Sequence, residues 1–308
     1  MAEAALARER LFALRSEIGR LESLNASALA RTDHDEAWDA AGQVGSRDRV
    51  VSGAEGFDAA LGGGLARAAL HEVRSPATSD NGAASGFALA LGRLALGGNV
   101  ASQRLLWIAD PTGARESGRP YGPGLAAHGI PPAAILHASP RHLKDALVIA
   151  EAGLAVKSFA AVILEVYGNP PKFGLTESRR LNLRAKAHRR PLLLLRERGE
   201  EEASSALVRF AVRSAPAAPR LLPGGRLYPQ GIGNPVFHVT VEKSRNPSPP
   251  EFMLEWNADE CLFRTVEPGR FALPDPRAKD PVAPFSLSRD RPHREDALGQ
   301  VLALPRAS

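Results

Sequence analysis

The chain of 308 residues holds a single cysteine, Cys261, so no disulfide can close within it and a reducing cytoplasm is the expected compartment. No apolar run approaches the roughly 20 residues that span a bilayer, so no membrane contact is expected. Met1 to Asn25 is charged throughout and lacks the apolar centre of a signal peptide. The eight histidines are scattered, and none stands at ligand spacing beside a cysteine or carboxylate cluster, so no metal site and no cofactor are expected. There is no G-x-S-x-G and no Cys–His arrangement, which removes the common nucleophilic chemistries. Charge of one sign is only slightly in excess: the formal net charge is +5, which permits nucleic-acid contact without establishing it.

What is present is core material. Hydrophobic residues make up 44% of the chain, enough for one medium domain with extensions. Ala4, Ala7, Leu11, Leu14, Ile18 and Leu21 form an a/d-like stripe, so 1–25 reads as a helix. It either docks on its own core or meets another subunit or a partner, which would allow self-association. Residues 26–48 turn polar and read as a linker.

A βα alternation follows over 49–257. Leu70–Val73, Arg104–Ala109, Ala160–Val166 and Pro191–Leu195 read as buried strands. Ala84–Leu96, apolar on nearly all sides, reads as a buried helix. Ser139-Pro140 signals a helix start, and Thr176–His188 is a polar, basic helix. Leu207–Val212, Pro235–Glu242 and Phe252–Trp256 alternate like antiparallel strands. The fold class is therefore α/β: a mostly parallel sheet with helices on both faces and antiparallel edge strands. The segment 258–308 is rich in Pro, Arg and Asp and reads as a largely disordered tail.

The stretch LHEVRSPATSDNGAASGFALALGRLAL (70–96) has the order strand, loop, buried helix of a phosphate-binding loop. Such a loop needs G-x-x-x-x-G-K-[ST], with the Lys on the β and γ phosphates and the hydroxyl on Mg²⁺. The aligned residues are Asn81 for the first glycine, Gly86 for the second, Phe87 for the Lys and Ala88 for the hydroxyl. On this alignment Phe87 fills a vestigial phosphate site. Gly62-Gly63-Gly64 precedes a strand and not a helix, so it reads as a tight bend.

VSGAEGFDAALGGGLARAALHEV (51–73), followed by RLLWIAD, AAVILEV and PLLLLRERG, resembles the succession of core strands in RecA. Together with the degenerate loop and LTESRRLNLRAKAHRRPLLLLRERG (175–199), the chain resembles the ImuA family. That family is the accessory protein of the bacterial ImuA–ImuB–error-prone-polymerase mutagenesis cassette. The resemblance implies a RecA-like core and a role in SOS-linked translesion synthesis. It implies as partners an ImuB-type scaffold, an error-prone DNA polymerase, the sliding clamp and RecA itself. A RecA-type ATPase also places a glutamate after its second core strand, where this chain has Asp110-Pro111-Thr112. Its metal-side acid would be Glu165, whose alternative reading is a strand-end carboxylate. No catalytic residue is expected, and the chain is read as a non-catalytic adaptor. A SulA-like division inhibitor and an atypical ATPase remain as alternatives.

Arg179, Arg180, Arg184, Lys186, Arg189 and Arg190 face a single acid, Glu177, in 177–190. Either they form a surface for DNA phosphates or an acidic partner, or the helix is a solvated amphipathic one packing through Leu181, Leu183 and Ala187. The loops 168–174 and 198–204 are short, the first with two prolines and the second with three glutamates, so any DNA contact should be weak and nonspecific. At the far end, 294–304 regains apolar character. Leu298, Val301, Leu302 and Leu304 are the expected anchors of a partner-docking segment, the alternative being that it folds back on its own domain.

Overall fold

The computed structural model describes residues 48–222, 226–244 and 250–267. Contacts divide the chain between Phe271 and Ala272, and every described residue belongs to the first unit. The expected N-terminal helix, most of the linker and the docking anchors Leu298, Val301, Leu302 and Leu304 lie outside the described residues.

A small antiparallel ribbon of β1 (Arg49–Val50) and β2 (Leu65–Ala66) opens the fold. Between them lies α1 (Glu55–Ala60), whose buried Asp58 accepts hydrogen bonds from the backbone N–H of Ser52, at 2.9 and 3.0 Å, and of Gly53 at 3.2 Å. Gly62, Gly63 and Gly64 all have positive φ (72°, 101° and 114°), and a Cβ on Gly64 would lie 2.6 Å from the Val50 carbonyl. The three glycines are thus the tight bend expected of them, and the bend returns the chain to β2.

Then come β3 (Leu70–Arg74), a 3-10 turn (Thr78–Asp80), α2 (Asn81–Leu96), β4 (Arg104–Ala109), α3 (Gly113–Glu116), α4 (Gly122–Ala127), a second 3-10 turn (Pro132–Ala134), β5 (Ile135–Ala138) and α5 (Leu143–Ala155). The order continues with β6 (Phe159–Tyr167), α6 (Leu175–His188), β7 (Leu192–Glu197), β8 (Val208–Ala215), β9 (Pro219–Leu221), β10 (Leu227–Ile232), β11 (Val236–Lys243), β12 (Glu251–Asn257) and β13 (Leu262–Thr265). The main sheet has nine strands in the order β13-β12-β11-β8-β3-β7-β6-β4-β5. From β8 to β5 every pairing is parallel, and from β8 to β13 every pairing is antiparallel. The architecture is the expected α/β class: a parallel sheet with helices on both faces and an antiparallel extension at one edge.

The two faces carry separate cores, because successive side chains on a strand point to opposite sides. Val73, Leu105, Trp107, Ile163, Leu193 and Leu195 pack under α2. Leu70, Leu106, Val162, Leu164, Leu192 and Leu194 pack under α5 and α6. Helix α2 is buried on almost every side, and its glycines let it lie close to the sheet: a Cβ at Gly92 would come within 3.0 Å of Leu105 Cδ1.

Two boundaries differ from expectation. The helix signalled by Ser139-Pro140 begins at Leu143, with extended His142 at the cap position, because β5 occupies 135–138 and residues 139–142 carry the chain across to the other face. The core does not stop at 257. β13 pairs with β12, and Phe263 is buried against Trp256 with ring centroids 5.0 Å apart. Strands β5, β9 and β10 and the short helices α3 and α4 carry no periodicity strong enough to announce them. Among the described residues, no helix is long and apolar enough to cross a membrane.

Candidate functional site

The connection from β3 to α2 is Ser75–Asp80, not the aligned segment Asn81–Ala88. Asn81, Gly86, Phe87 and Ala88 all lie within the first two turns of α2, so the vestigial-loop alignment is corrected by about one and a half turns. Gly86 is a packing glycine: a Cβ there would stand 3.2 Å from His128 Nε2 and 3.3 Å from the Phe237 ring. Phe87 does not fill a phosphate pocket. It is fully buried at the centre of an aromatic cluster, with ring centroids 5.4 Å from Phe263, 5.5 Å from Phe210, 5.8 Å from Phe237 and 6.3 Å from Phe57. Ala88 is equally buried.

The ends of the turn are held by neighbouring groups of the fold. Ser75 Oγ donates to Asn81 Oδ1 at 2.6 Å and accepts from the Arg198 N–H at 3.1 Å. Buried Asp80 accepts from the Ser214 N–H at 3.1 Å and its hydroxyl at 3.3 Å. A carboxylate therefore stands where α2 begins, and neither lysine nor arginine occurs between Ser75 and Asp80.

Beside α2, at the C-terminal ends of β4, β6 and β7, lies a cavity of about 310 Å³ whose wall includes Trp107, Arg119, Tyr121, His128, Glu165 and Glu197. Glu165 Oε2 accepts from the Trp107 indole at 2.6 Å. Burial, then the neighbouring Glu197, pushes the Glu165 carboxyl up to about 7. Glu197 is raised as well, chiefly by burial, and accepts from the Ser117 hydroxyl. A hydrogen bond joins the two side chains, and it favours the proton on Glu165 and the charge on Glu197. His128 shares its Nδ1 with the Gly124 carbonyl at 3.0 Å, while its buried Nε2 has no hydrogen-bond partner. Asp110, directly after β4, is consumed structurally: Oδ1 accepts from Gly113 N–H at 2.6 Å and Oδ2 from Tyr167 N–H at 2.9 Å. Arg119 is the one cationic residue in this wall, and no His, Cys, Asp or Glu group among the described residues could hold a metal ion.

The sign of the pH effect follows. A folded carboxyl raised from 4.5 to about 7 binds its proton more tightly than the unfolded one. Stability from this source is present below the unfolded value and is lost as pH rises towards 7, by on the order of 3 kcal/mol. Glu165→Gln keeps an acceptor for Trp107 and a donor for Glu197. The variant should therefore match the parent at pH 4 to 5 and be the more stable of the two above pH 7, in urea melts across pH. An unchanged pH profile would refute the shared proton.

The basic helix is not one open patch. Arg180 and Arg184 both reach Glu151 on α5, at 2.5 and 4.0 Å. Arg189, in the left-handed conformation that ends α6, pairs with Asp48, and Arg190 donates to the Leu154 carbonyl. Arg179 is exposed and Lys186 half-buried. The buried face is Ser178, Leu181, Asn182 and Ala185, whereas Leu183 is exposed and does not pack. Much of the helix's positive charge thus fixes α6 to its neighbours.

The loops after β6 and β7 are tied together. Asn169 Nδ2 donates to Glu202 at 2.9 Å, and the Glu200 N–H donates to Asn169 Oδ1 at 2.8 Å. Two of the three glutamates turn towards arginines at the sheet: Glu202 to Arg196 at 3.4 Å and Glu201 to Arg209 at 3.5 Å. Of the site residues, sequence reasoning found Asp110 and Glu165. It missed Glu197, His128, Ser117 and Arg119, three of which come from 113–128, where the short helices leave no pattern to read.

No family model and no curated protein matches the sequence. Among solved structures the chain is similar to one described as the crystal structure of the RadB recombinase, with a TM-score of 0.47 and 17% identity, covering 71% of this chain and 100% of that one.

Proposed function

We propose that this chain is a non-catalytic RecA-like adaptor in damage-induced mutagenesis, resident in the cytoplasm. In this reading it brings together an ImuB-type scaffold and an error-prone DNA polymerase, with RecA itself and weak nonspecific DNA as further contacts. The observation that carries the loss of catalysis is the β3–α2 turn. Ser75 and Asp80 already have partners within the fold, and Asp80, an acid, occupies the start of the helix where a phosphate would need donors and a cation. Asp110 is likewise spent on two backbone amides. The adaptor half of the reading rests on the resemblance of 51–73 and 175–199 to the ImuA family.

Two measurements test the two halves. ATP with Mg²⁺ should give no turnover and no more thermal stabilisation than inorganic phosphate. A specific ligand at a hundred times its Kd would add about 2.7 kcal/mol, so a clear shift with ATP alone would favour the atypical ATPase. Co-purification with the scaffold should be abolished by deleting residues 290–308 while the melting temperature stays nearly unchanged. A truncated chain that still co-purifies in full, or one that melts several degrees lower, would rule out docking through Leu298, Val301, Leu302 and Leu304. Binding to the division tubulin in place of the scaffold would favour the SulA-like alternative.

A further inference from the structure

We propose that the cavity beside α2 binds a small organic cation, a guanidinium or ammonium group on a short apolar body, whose charge meets Glu165 and Glu197. Both carboxylates line the cavity, and they are only 3% and 1% exposed. A buried charge is ordinarily met by an opposite charge. Glu72, the buried acid of β3, obeys that rule, with Arg196 at 2.8 Å and Arg209 at 3.1 Å. Glu165 and Glu197 have no ion pair among the described residues. Their donors, the Trp107 indole and the Ser117 hydroxyl, are neutral. A third buried carboxylate, Asp110, acts on both of them and pushes each upward. The cavity wall therefore holds negative charge that the described protein does not compensate.

The rest of the wall selects the form of the cation. With a volume of about 310 Å³, the cavity has room for a short body as well as a charged head, and Leu89, Leu125 and Trp107 give that body an apolar lining. His128 supplies a further acceptor. Its Nδ1 is taken by the Gly124 carbonyl, which places the proton there and leaves the buried Nε2 as a lone pair without a partner. Burial keeps the ring neutral. A guanidinium, with five N–H donors and no acceptor, suits this set of acceptors. Tyr121 also lines the cavity and is 74% exposed, so its ring is open to a cation. Arg119 does not fill the need. It is exposed, and its charge is felt by His137 in the adjoining cavity, which it pushes down.

A bound cation favours the ionised form of both carboxyls, so binding expels the proton that Glu165 holds up to about 7. The groups that face Glu165 are Trp107 and Asp110 from the end of β4, Gly113 of α3 and Glu197 of β7, and none of them is a cation. Affinity should therefore rise with pH, by about tenfold from pH 6 to pH 8. The site stands independently of the adaptor reading: co-purification with a scaffold and melts with ATP test that reading, and the binding assay below tests this site.

The test is isothermal titration calorimetry on the full chain with butylguanidinium, and with butylurea as a neutral molecule of the same shape, at pH 6 and pH 8. Butylguanidinium should bind, more tightly at pH 8, and butylurea should bind roughly tenfold more weakly or not at all. Glu197→Gln should weaken butylguanidinium by roughly tenfold or more. Glu165→Gln keeps the shape of the wall and the bond from Trp107. It should weaken binding at pH 8 and remove the difference between pH 6 and pH 8, which a merely structural role would not do. Arg119→Gln, which takes away a competing cation, should bind at least as well as the parent. The proposal is overturned if butylguanidinium does not bind, if butylurea binds as well, if Glu165→Gln keeps the affinity and pH dependence of the parent, or if Arg119→Gln abolishes binding.

Discussion

Phe87→Lys, the substitution that would restore the consensus lysine in the aligned sequence, should collapse the fold without creating a nucleotide site. Phe87 is fully buried between Phe57, Phe210, Phe237 and Phe263. Removing a core phenylalanine costs about 3–5 kcal/mol. An ammonium left in that cluster has no acceptor and adds several kcal/mol more, or deprotonates. Set against a typical total of roughly 5–15 kcal/mol, the variant should be largely unfolded or melt lower by on the order of 10–20 °C. Asn81→Lys gives the contrast. Asn81 is half-buried at the junction of turn and helix, and it loses only its bond from Ser75, about 1 kcal/mol. Thermal melts of the two variants with and without ATP–Mg²⁺ settle the register. A stable Phe87→Lys protein that gains an ATP-dependent shift would mean that Asn81–Ala88 is the phosphate loop after all.

That contrast shows where the sequence could be read and where it could not. The strands of the parallel half were legible because burial on both faces leaves continuous apolar runs such as RLLWIA and PLLLL, and few other arrangements tolerate them. The buried helix was legible for the same reason. The register of the phosphate turn was not. A glycine needed for close helix packing, Gly86, spells the same letter as a glycine needed for a phosphate cradle. Only the position of Asn81–Leu96 relative to β3 separates the two. The cavity was half legible. Glu165 follows from its place at the end of a recognisable strand, but its partner Glu197 is two residues beyond PLLLL and gains meaning only when β6 and β7 pair side by side. His128 and Ser117 come from turns whose placement is decided by tertiary packing. The basic helix misled in a different way. Its charge count was correct, but opposite charges contributed by Glu151 and Asp48 lie elsewhere in the chain.

The largest single electrostatic effect should come from Glu72. This carboxylate on β3 is completely buried and meets Arg196 at 2.8 Å and Arg209 at 3.1 Å, and it accepts from the Ser204 hydroxyl at 2.6 Å. Arg196 has no exposed side-chain surface, and its guanidinium lies 5.0 Å from the centre of the Phe173 ring. Two buried cations thus depend on one buried anion. Glu201 and Glu202 reach the same arginines from more exposed positions and screen them only in part. Glu72→Gln has nearly the same shape but leaves both guanidiniums without a buried counter-charge, so it should lose about 3–5 kcal/mol in urea unfolding. Arg196→Met should lose less, because Glu72 keeps Arg209 and Ser204 while the methionine fills part of the volume. The double variant Glu72→Gln, Arg196→Met should lose clearly less than the sum of the two, since the second change removes one of the charges that the first left stranded. The network also ties the loop after β7 to the sheet. Amide exchange in 198–205 should therefore accelerate in Glu72→Gln more than in the distant β11–β12 pair. Additive losses with uniform exchange would mean that the three side chains contribute only as packing volume, and the electrostatic account of this layer would fail.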